Sequence, residues 1–484
     1  MIFKSKGEDE KRHRLIILTD MENEPDDSQT MVKLLMYSNE IDIEGLIAVT
    51  SIHLQRDVFP ESIFVRVQAY GLVRPSLMKN APGWPTEEYL LDRTAGGQRG
   101  YGMAAVGDGK SSAGSELIIR AVDKDDPRPV WIAINAGANT LAQALWDVKK
   151  SRTAEEVSKF VAKIRVYDDS GQDDAGAWIA HNFPEIFYIR SSYQVFGLFG
   201  PHEKAGPQST YPLDHFDWAE QNIRTRHGIL GALYPQRMFK QFNGNIFMEG
   251  GGTTTWLGLV NKGLFDPDEL TWGGWGGRFS PVKEKVICGQ SGCVELEKKQ
   301  GDFLMYPQAA DYSFHYEGEM LSECTGNDDA KYDWHYFAPL WRWRDDYLAD
   351  FKARMDWCVA DYEQTNHHPV IDLFGDTHRT IARFSASAGE RCVFDLTGSY
   401  DPDHQTWKDN SPQGKLSFRA YMYPEAGTYD GTVEIIDGDT RKPTVIIPQD
   451  ASGKQIHIIL EAKDSDSQAP LKSYRRVVID VDPA

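Results

Sequence analysis

Leu15-Ile16-Ile17-Leu18-Thr19-Asp20-Met21-Glu22-Asn23-Glu24-Pro25-Asp26-Asp27 is the stretch from which the rest of the chain is read. Leu15–Leu18 is an apolar strand. Five carboxylates fall within the eight residues from Asp20 to Asp27, and a helix-like run follows from Ser28 to Ser38, with Met31, Val32, Leu34 and Leu35 as its apolar positions. A strand that ends in carboxylates and turns into a helix places them at the carboxyl edge of a sheet, where open α/β folds bind ligands. Capping and the helix dipole account for Asp26 and Asp27, but not for Asp20 and Glu22, which precede the helix. Carboxylates gathered this closely repel one another unless a cation sits among them. Calcium, a hard ion that takes oxygen ligands, is the natural candidate. An EF-hand does not fit: counted from Asp20, its sixth position is Pro25 where glycine is needed, and its twelfth is Met31 where glutamate is needed.

Outward from this stretch, strands and helices alternate. Ile43–Thr50 reads as a strand, Ser115–Val122 as a helix, Val130–Ile134 as a buried strand and Thr140–Val148 as a helix, with further strands at Lys163–Tyr167 and Ile186–Ile189. Near-continuous apolar strands alternating with helices imply a mostly parallel sheet with helices on both faces. The segment Pro201–Asn245 is too long for an ordinary connection and is expected to hold helices and active-site loops. Lys283–Lys331 has hairpin character, and a helix is expected over Trp341–Glu363. Past Gln364–Asp376 the pattern changes to short alternating strands at Arg391–Leu396, Leu416–Tyr423, Thr432–Ile436, Thr444–Ile447, Gln455–Ala462 and Tyr474–Val481, with no helix signal. That is the pattern of an immunoglobulin-like β-sandwich. The expected organisation is a polar segment over 1–14, an α/β domain over 15–365 and a sandwich over 376–484.

The chain has 484 residues, 52 Lys and Arg against 72 Asp and Glu, and a net charge of −20. This disfavours nucleic-acid partners, whose phosphates need a basic surface, and anionic membrane surfaces. No run of 18 apolar residues is present, so no transmembrane helix is expected. Five cysteines leave both a Cys288–Cys293 disulfide and free buried thiols open. The polar start, Met1 to Arg14, has no apolar leader core, so no signal peptide is expected in the sequence as it stands; a periplasmic or secreted protein without its leader would read the same way. A homo-oligomer is left open.

Three further loops follow putative strands, so the same sheet edge can collect them. Asn135-Ala136-Gly137-Ala138-Asn139-Thr140 offers small residues and a bare carbonyl for calcium; an ordinary strand-to-helix turn is the competing reading. Gln172, Asp173 and Asp174, followed by Trp178, suit sugar hydroxyls, against a solvated helix start. Glu249-Gly250-Gly251-Gly252-Thr253-Thr254 is a flexible loop. His53 follows the second strand, although a lone histidine is more often structural. Trp272 and Trp275 suit either a sugar platform or core packing. Gly96-Gly97-Gln98-Arg99-Gly100-Tyr101-Gly102 lacks the Lys-Ser/Thr pair of a nucleotide loop. No Gly-x-Ser-x-Gly elbow is present, which argues against a serine hydrolase.

Asp20-x-Glu22-x3-Asp26-Asp27 after a strand resembles the calcium-binding Asp-x-Asp-x3-Asp-Asp signature of nucleoside hydrolases, with Glu22 in place of the second aspartate. Through Thr19–Asp27, Gly100–Asp108, Asp123–Trp131, Gly171–Trp178, Trp272–Gly277, Trp341–Trp343 and Tyr423–Tyr429, the chain is identified as a member of the DUF1593 family. Its members join a nucleoside-hydrolase-like domain to an immunoglobulin-like one, and some are described as cellulose-binding. The resemblance implies calcium held by Glu22, by a bidentate Asp27 and by a carbonyl near Asn135, with Asp20 orienting the cluster and counted with the metal set. Asp26 would hold a sugar hydroxyl, and the water-activating base would be one of these carboxylates, Glu22 being the choice. His53, Gln172, Asp173, Asp174, Trp178 and Glu249 complete the substrate-binding set. The late aspartate of nucleoside hydrolases is matched here by Gly251, with Glu249 as the substitute. Their Asn/Glu/Asn ribose grip is not recognisable around Gly171–Asn182. The expectation is therefore a calcium-assisted hydrolase of a glycosidic bond in an oligosaccharide or glycoside. The alternatives are a nucleoside N-ribohydrolase and a non-catalytic, cellulose-like polysaccharide-binding protein. His53, His181 and His227 are the candidate general acids.

Overall fold

Leu15 to Leu18 are all fully buried, because the strand they form lies in mid-sheet with helices on both faces. Successive side chains alternate: Leu15 and Ile17 join the core that contains Met31, Leu34 and Leu35, while Ile16 and Leu18 join the core that contains Ile118, Leu141 and Leu145. The computed structural model describes residues 1–5, 12–191, 219–235, 238–239, 246–247, 250–295, 303–314, 334–403, 416–464 and 470–483.

In chain order the first elements are β1 (Ile2–Ser5), β2 (His13–Thr19), α1 (Pro25–Met36), β3 (Ile41–Ala48), α2 (Pro60–Asn80), α3 (Glu87–Leu91), β4 (Thr94–Gly96), α4 (Ala113–Asp123), β5 (Val130–Ile134), α5 (Asn139–Ser151), α6 (Ala154–Val161), β6 (Ile164–Asp169), α7 (Ala175–Asn182) and β7 (Phe187–Ser191). The main sheet runs in the order Val282–Glu284, Phe303–Pro307, β7, β6, β5, β2, β3, β4. Every neighbouring pair is parallel except the outermost one, Val282–Glu284 with Phe303–Pro307. The chain builds β2, β3 and β4 outward in one direction, then returns to place β5 on the other side of β2. The strand order therefore reverses between β2 and β5, and beyond the carboxyl ends at such a point open α/β sheets form their ligand crevice.

The helix α1 begins at Pro25, three residues earlier than its apolar periodicity suggests, because proline at the first helical position loses no hydrogen bond there. Asp26 and Asp27 thus lie in its first turn. The 21-residue α2 was not legible in the pattern: it carries Pro75 inside it and leaves Val65, Leu72 and Met78 exposed. The described part of Pro201–Asn245 includes a π-helical turn at Glu220–Arg224 and a short helix at Gly228–Ala232. No helix among the described residues is long and apolar enough to cross a membrane.

The C-terminal region is the expected sandwich. One sheet contains β1, Ala382–Ala386, Lys472–Val481, Gln455–Lys463 and Ser417–Met422; the other contains Arg391–Val393, Thr444–Ile446 and Glu434–Ile436. The opening segment is a structural part of it, since β1 pairs with Ala382–Ala386 far along the chain. The two domains share a seat. Arg476 is fully buried and donates to the carbonyls of Leu264 (2.7 Å), Trp272 (2.8 Å) and Gly273 (3.0 Å). Trp272 packs its edge on His457, and Arg383 lies over its ring. Trp275 is buried against Tyr347. The Trp-Gly motif is therefore core packing, and its glycines serve close approach: a Cβ on Gly276 would lie 2.7 Å from the Gly258 nitrogen. Replacing Arg476 by Met strands three buried carbonyls. It should lower the unfolding free energy by about 3 kcal/mol or more, read by chemical denaturation.

Candidate functional site

The crevice between β2 and β5 receives the acidic cluster. Asp20 directly follows β2 and is buried; Ser51 Oγ donates to its Oδ2 at 2.6 Å, and Asn23 Nδ2 approaches the same oxygen at 3.3 Å. Asp27 is also buried and accepts a hydrogen bond from Thr19 Oγ1. Oδ1 of Asp20 and Oδ1 of Asp26 are buried with no hydrogen-bond donor. Burial raises the Asp20 carboxyl to about 7. Burial also lifts Asp27 well above the usual range, and the charge of Asp20 adds to the effect. Asp26 is raised in the same way, first by burial and then by Asp27 and Glu24.

Glu22 is placed differently from the sequence expectation. Its backbone adopts a positive φ of 74°, its carboxylate accepts from Ser62 Oγ, and Arg66 stands 3.9 Å away. These partners on α2 draw the side chain out toward the surface. Glu24 is half-buried with Asn23 as its donor; burial raises its carboxyl and the nearby His53 opposes the rise.

Asn135 ends β5 as expected. Its carbonyl accepts from Gln172 Nε2 at 2.8 Å, its Oδ1 accepts from Thr255 Oγ1 at 2.7 Å, and its Nδ2 is buried without an acceptor. The loop at Gly250–Thr255 thus reaches the cluster, held by Gly250 N donating to Gln29 Oε1 at 2.7 Å. Gln172 Oε1 is likewise buried and unpaired. Glu249 lies outside the described residues.

Asp173 and Asp174 stand at the same edge but tie its turns together. Asp173 accepts from the backbone of Asn139 (3.1 Å) and Ala175 (3.0 Å), which caps the starts of α5 and α7, and burial raises its carboxyl to about 7. Asp174 is exposed and accepts from Met103 N at 2.8 Å. Trp178 belongs to the helical layer, against Trp146 and Phe183. His227 is paired with Asp356 at 2.9 Å on the helix Ala338–Asp356.

His53 is exposed at the mouth, where its Nε2 meets Gln290 Oε1 at 2.9 Å. Gln290 is at the tip of a hairpin, Val286–Gly289 with Gly292–Glu295, closed by the Cys288–Cys293 disulfide. The tip lies over the loop after β6: Gln290 N donates to Ser170 O, and Ser291 Oγ donates to Asp173 O, each at 3.0 Å. Cys358 and Cys392 are buried thiols.

These features match known proteins along most of the chain. Residues 14–279 fit the family model described as the nucleoside hydrolase-like domain of cellulose-binding Sde182, and residues 391–481 fit the C-terminal domain of cellulose-binding protein Sde0182. The chain belongs to this family. A solved structure of a nucleoside hydrolase-related protein from Saccharophagus degradans, associated with carbohydrate metabolism, is similar at 36% identity with a TM-score of 0.77. The match covers 97% of this chain and all of that one. No curated protein matches.

The resemblance of the acidic motif to a calcium signature raises the question of a metal site, and the cluster allows a test. The donors are all oxygens, which suits a hard cation, and two buried carboxylate oxygens have no donor of their own. Among the described residues no three Asp, Glu, His or Cys side chains already stand in ligand geometry. Asp20, Asp27 and the Asn135 carbonyl are the groups fit to hold such an ion.

Asp169 was missed by sequence reasoning. It ends β6, is buried, and accepts from Ser170 Oγ at 2.6 Å. Burial raises its carboxyl well above the usual range, and the charges of Asp168, Asp26 and Asp27 add to this, so it faces the cluster. Its signal was available: Asp168-Asp169 closes an apolar strand just as Asp20 does. Asp168 itself is neutralised by Arg190 at 2.6 Å.

The raised carboxyls fix a sign for pH dependence. Asp20 titrates at about 7 in the folded chain, against an ordinary value of 3.8. Between those values the folded state alone holds the proton, so this group lowers stability as pH rises toward 7 and imposes its full penalty above it. Asp20→Asn removes that penalty. In the presence of a chelator its Tm relative to wild type should be higher at pH 8 than at pH 5, measured by scanning calorimetry. An equal difference at both pH values would show that Asp20 does not carry the proton.

Proposed function

We propose that the chain hydrolyses a glycosidic bond of an oligosaccharide or glycoside at the crevice between β2 and β5. The observation that carries this reading is the set of buried carboxylates at the point where the strand order reverses, with oxygens that lack donors and pKa values displaced upward. Perturbed titration at a ligand crevice is the mark of acid–base chemistry. The family's association with cellulose and carbohydrate supports a sugar substrate.

Asp26 is the preferred base. Its Oδ1 has no donor and can accept a proton from water once a bound cation has drawn off the proton that burial favours, whereas Glu22 is engaged by Ser62 and Arg66. The water oxygen adds to the anomeric carbon as the glycosidic C–O bond breaks, and the leaving oxygen takes up a proton. We assign that proton to His53, whose ring lies near Glu24 and shares its Nε2 with Gln290 Oε1. Gln172, whose Oε1 is unpaired, is available to a sugar hydroxyl. Calcium held by Asp20, Asp27 and the Asn135 carbonyl would supply a positive charge that makes water more acidic.

Asp26→Asn should lower kcat by about 100-fold or more while Tm is held, scored on a panel of aryl glycosides, cello-oligosaccharides, inosine and uridine. Full activity in that variant would displace the site. Turnover confined to inosine or uridine would make the chain a nucleoside hydrolase, and no turnover on the whole panel would favour a polysaccharide-binding protein. For the ion, calcium titration by calorimetry should show binding that is lost in Asp27→Ala. Because the raised carboxyls must shed protons, affinity should strengthen from pH 6 to pH 8. Absence of calcium binding in the wild type would remove the metal from the mechanism.

A further inference from the structure

The C-terminal sandwich displays an aromatic residue in a conformation that aromatic residues avoid. Phe374 has φ 57° and the following Gly375 has φ 84°. They are the two central residues of a tight turn closed by Leu373 N to Asp376 O (2.9 Å) and Asp376 N to Leu373 O (3.1 Å). Positive φ at both central positions is the type I′ arrangement, for which Asn-Gly is the favoured pair. A bulky side chain at the first position is strained, and Phe374 N is also tied to Asp395 O at 3.0 Å, which holds the turn in place.

The strain does not serve burial of the ring. Phe374 is 52% exposed. Its ring edge meets Phe384, with centroids 6.2 Å apart, and Phe3 meets the same Phe384 from the neighbouring strand at 5.1 Å. Phe3 stands directly opposite Phe384 in the β1 pairing and is 43% exposed, while Phe384 and Phe394 beneath are buried. Two half-exposed rings thus pack against one buried aromatic residue. Strained residues gather at ligand clamps and active sites.

We propose that Phe374 and Phe3 form a stacking platform for the sugar rings of a neutral, cellulose-like polysaccharide. The apolar C–H face of a pyranose lies flat on the electron-rich face of an aromatic ring. The chain's charge of −20 repels an anionic glycan, and the lysine on the adjoining surface, Lys442, is paired with Asp395 at 3.1 Å, so the occupant is an uncharged polymer. The cellulose-binding description of the family matches that chemistry. This site stands apart from the hydrolytic crevice, and either reading can fail without the other.

The test uses the full chain and depletion isotherms on microcrystalline cellulose. Phe374→Asn installs the residue the turn favours and removes the ring. It should leave Tm unchanged or raised, weaken cellulose binding by about tenfold or more, and leave any turnover of a soluble glycoside intact. Phe3→Ala should weaken binding in the same direction. A wild type that does not bind cellulose overturns the proposal. So does Phe374→Asn with full binding, whether or not its Tm falls, since the ring would then be packing alone.

Discussion

Carboxylates removed from water and set side by side impose the constraint on which the crevice depends. Asp20, Asp26, Asp27 and Asp169 converge from two strand ends and one helix start, and a buried charge without a partner is costly. The chain meets that cost in two ways. Asp168 is neutralised by Arg190, and this buried pair anchors the β6 turn and the hairpin above it, since Arg190 also donates to the Cys288 carbonyl at 2.9 Å. The remaining four carboxyls receive no such cation from a described side chain. Burial favours their protonated form, and a bound cation would favour the charged one.

The second structural feature is the way the sandwich is attached. Tyr423, Ile459, Tyr474 and Val478 of the C-terminal region belong to the same apolar core as α1 and the Trp-Gly motif. Arg476 crosses that seam and satisfies carbonyls that would otherwise be buried and unpaired. Tyr423 OH adds a bond to Asp311 Oδ2 at 2.7 Å. The sandwich is thus fastened to the hydrolase-like domain and does not swing on a linker.

Much of the fold was legible. Val130–Ile134 was read to the residue, and β2, β3, β6 and β7 to within a few, because doubly covered strands leave unbroken apolar runs. The elements that were not read have physical reasons. The helix α2 has no clean apolar stripe, β4 is three residues long, and β1 pairs with a strand nearly 400 residues away, so nothing local marks it. At the site, Asp20, Asp26, Asp27 and Asn135 were placed at one edge from their positions after strands. The ring neighbours of Trp178, Trp146 and Phe183, are set by the packing of α7 and not by sequence order.

What the sequence by itself determined is the identity of the elements and the clustering of acidic residues at strand ends, since both follow from local order: apolar runs form strands, and the residues that follow them lie at the carboxyl edge. Only the tertiary structure decided which carboxylates are buried and which are neutralised. Glu22 sits two residues from Asp20, yet it turns outward because Ser62 and Arg66 arrive on α2. Asp169 lies 142 residues beyond Asp27, yet it enters the cluster because β5 and β6 are laid beside β2. Local order fixes where a side chain starts, whereas charge, desolvation and partner are set by what folding brings next to it.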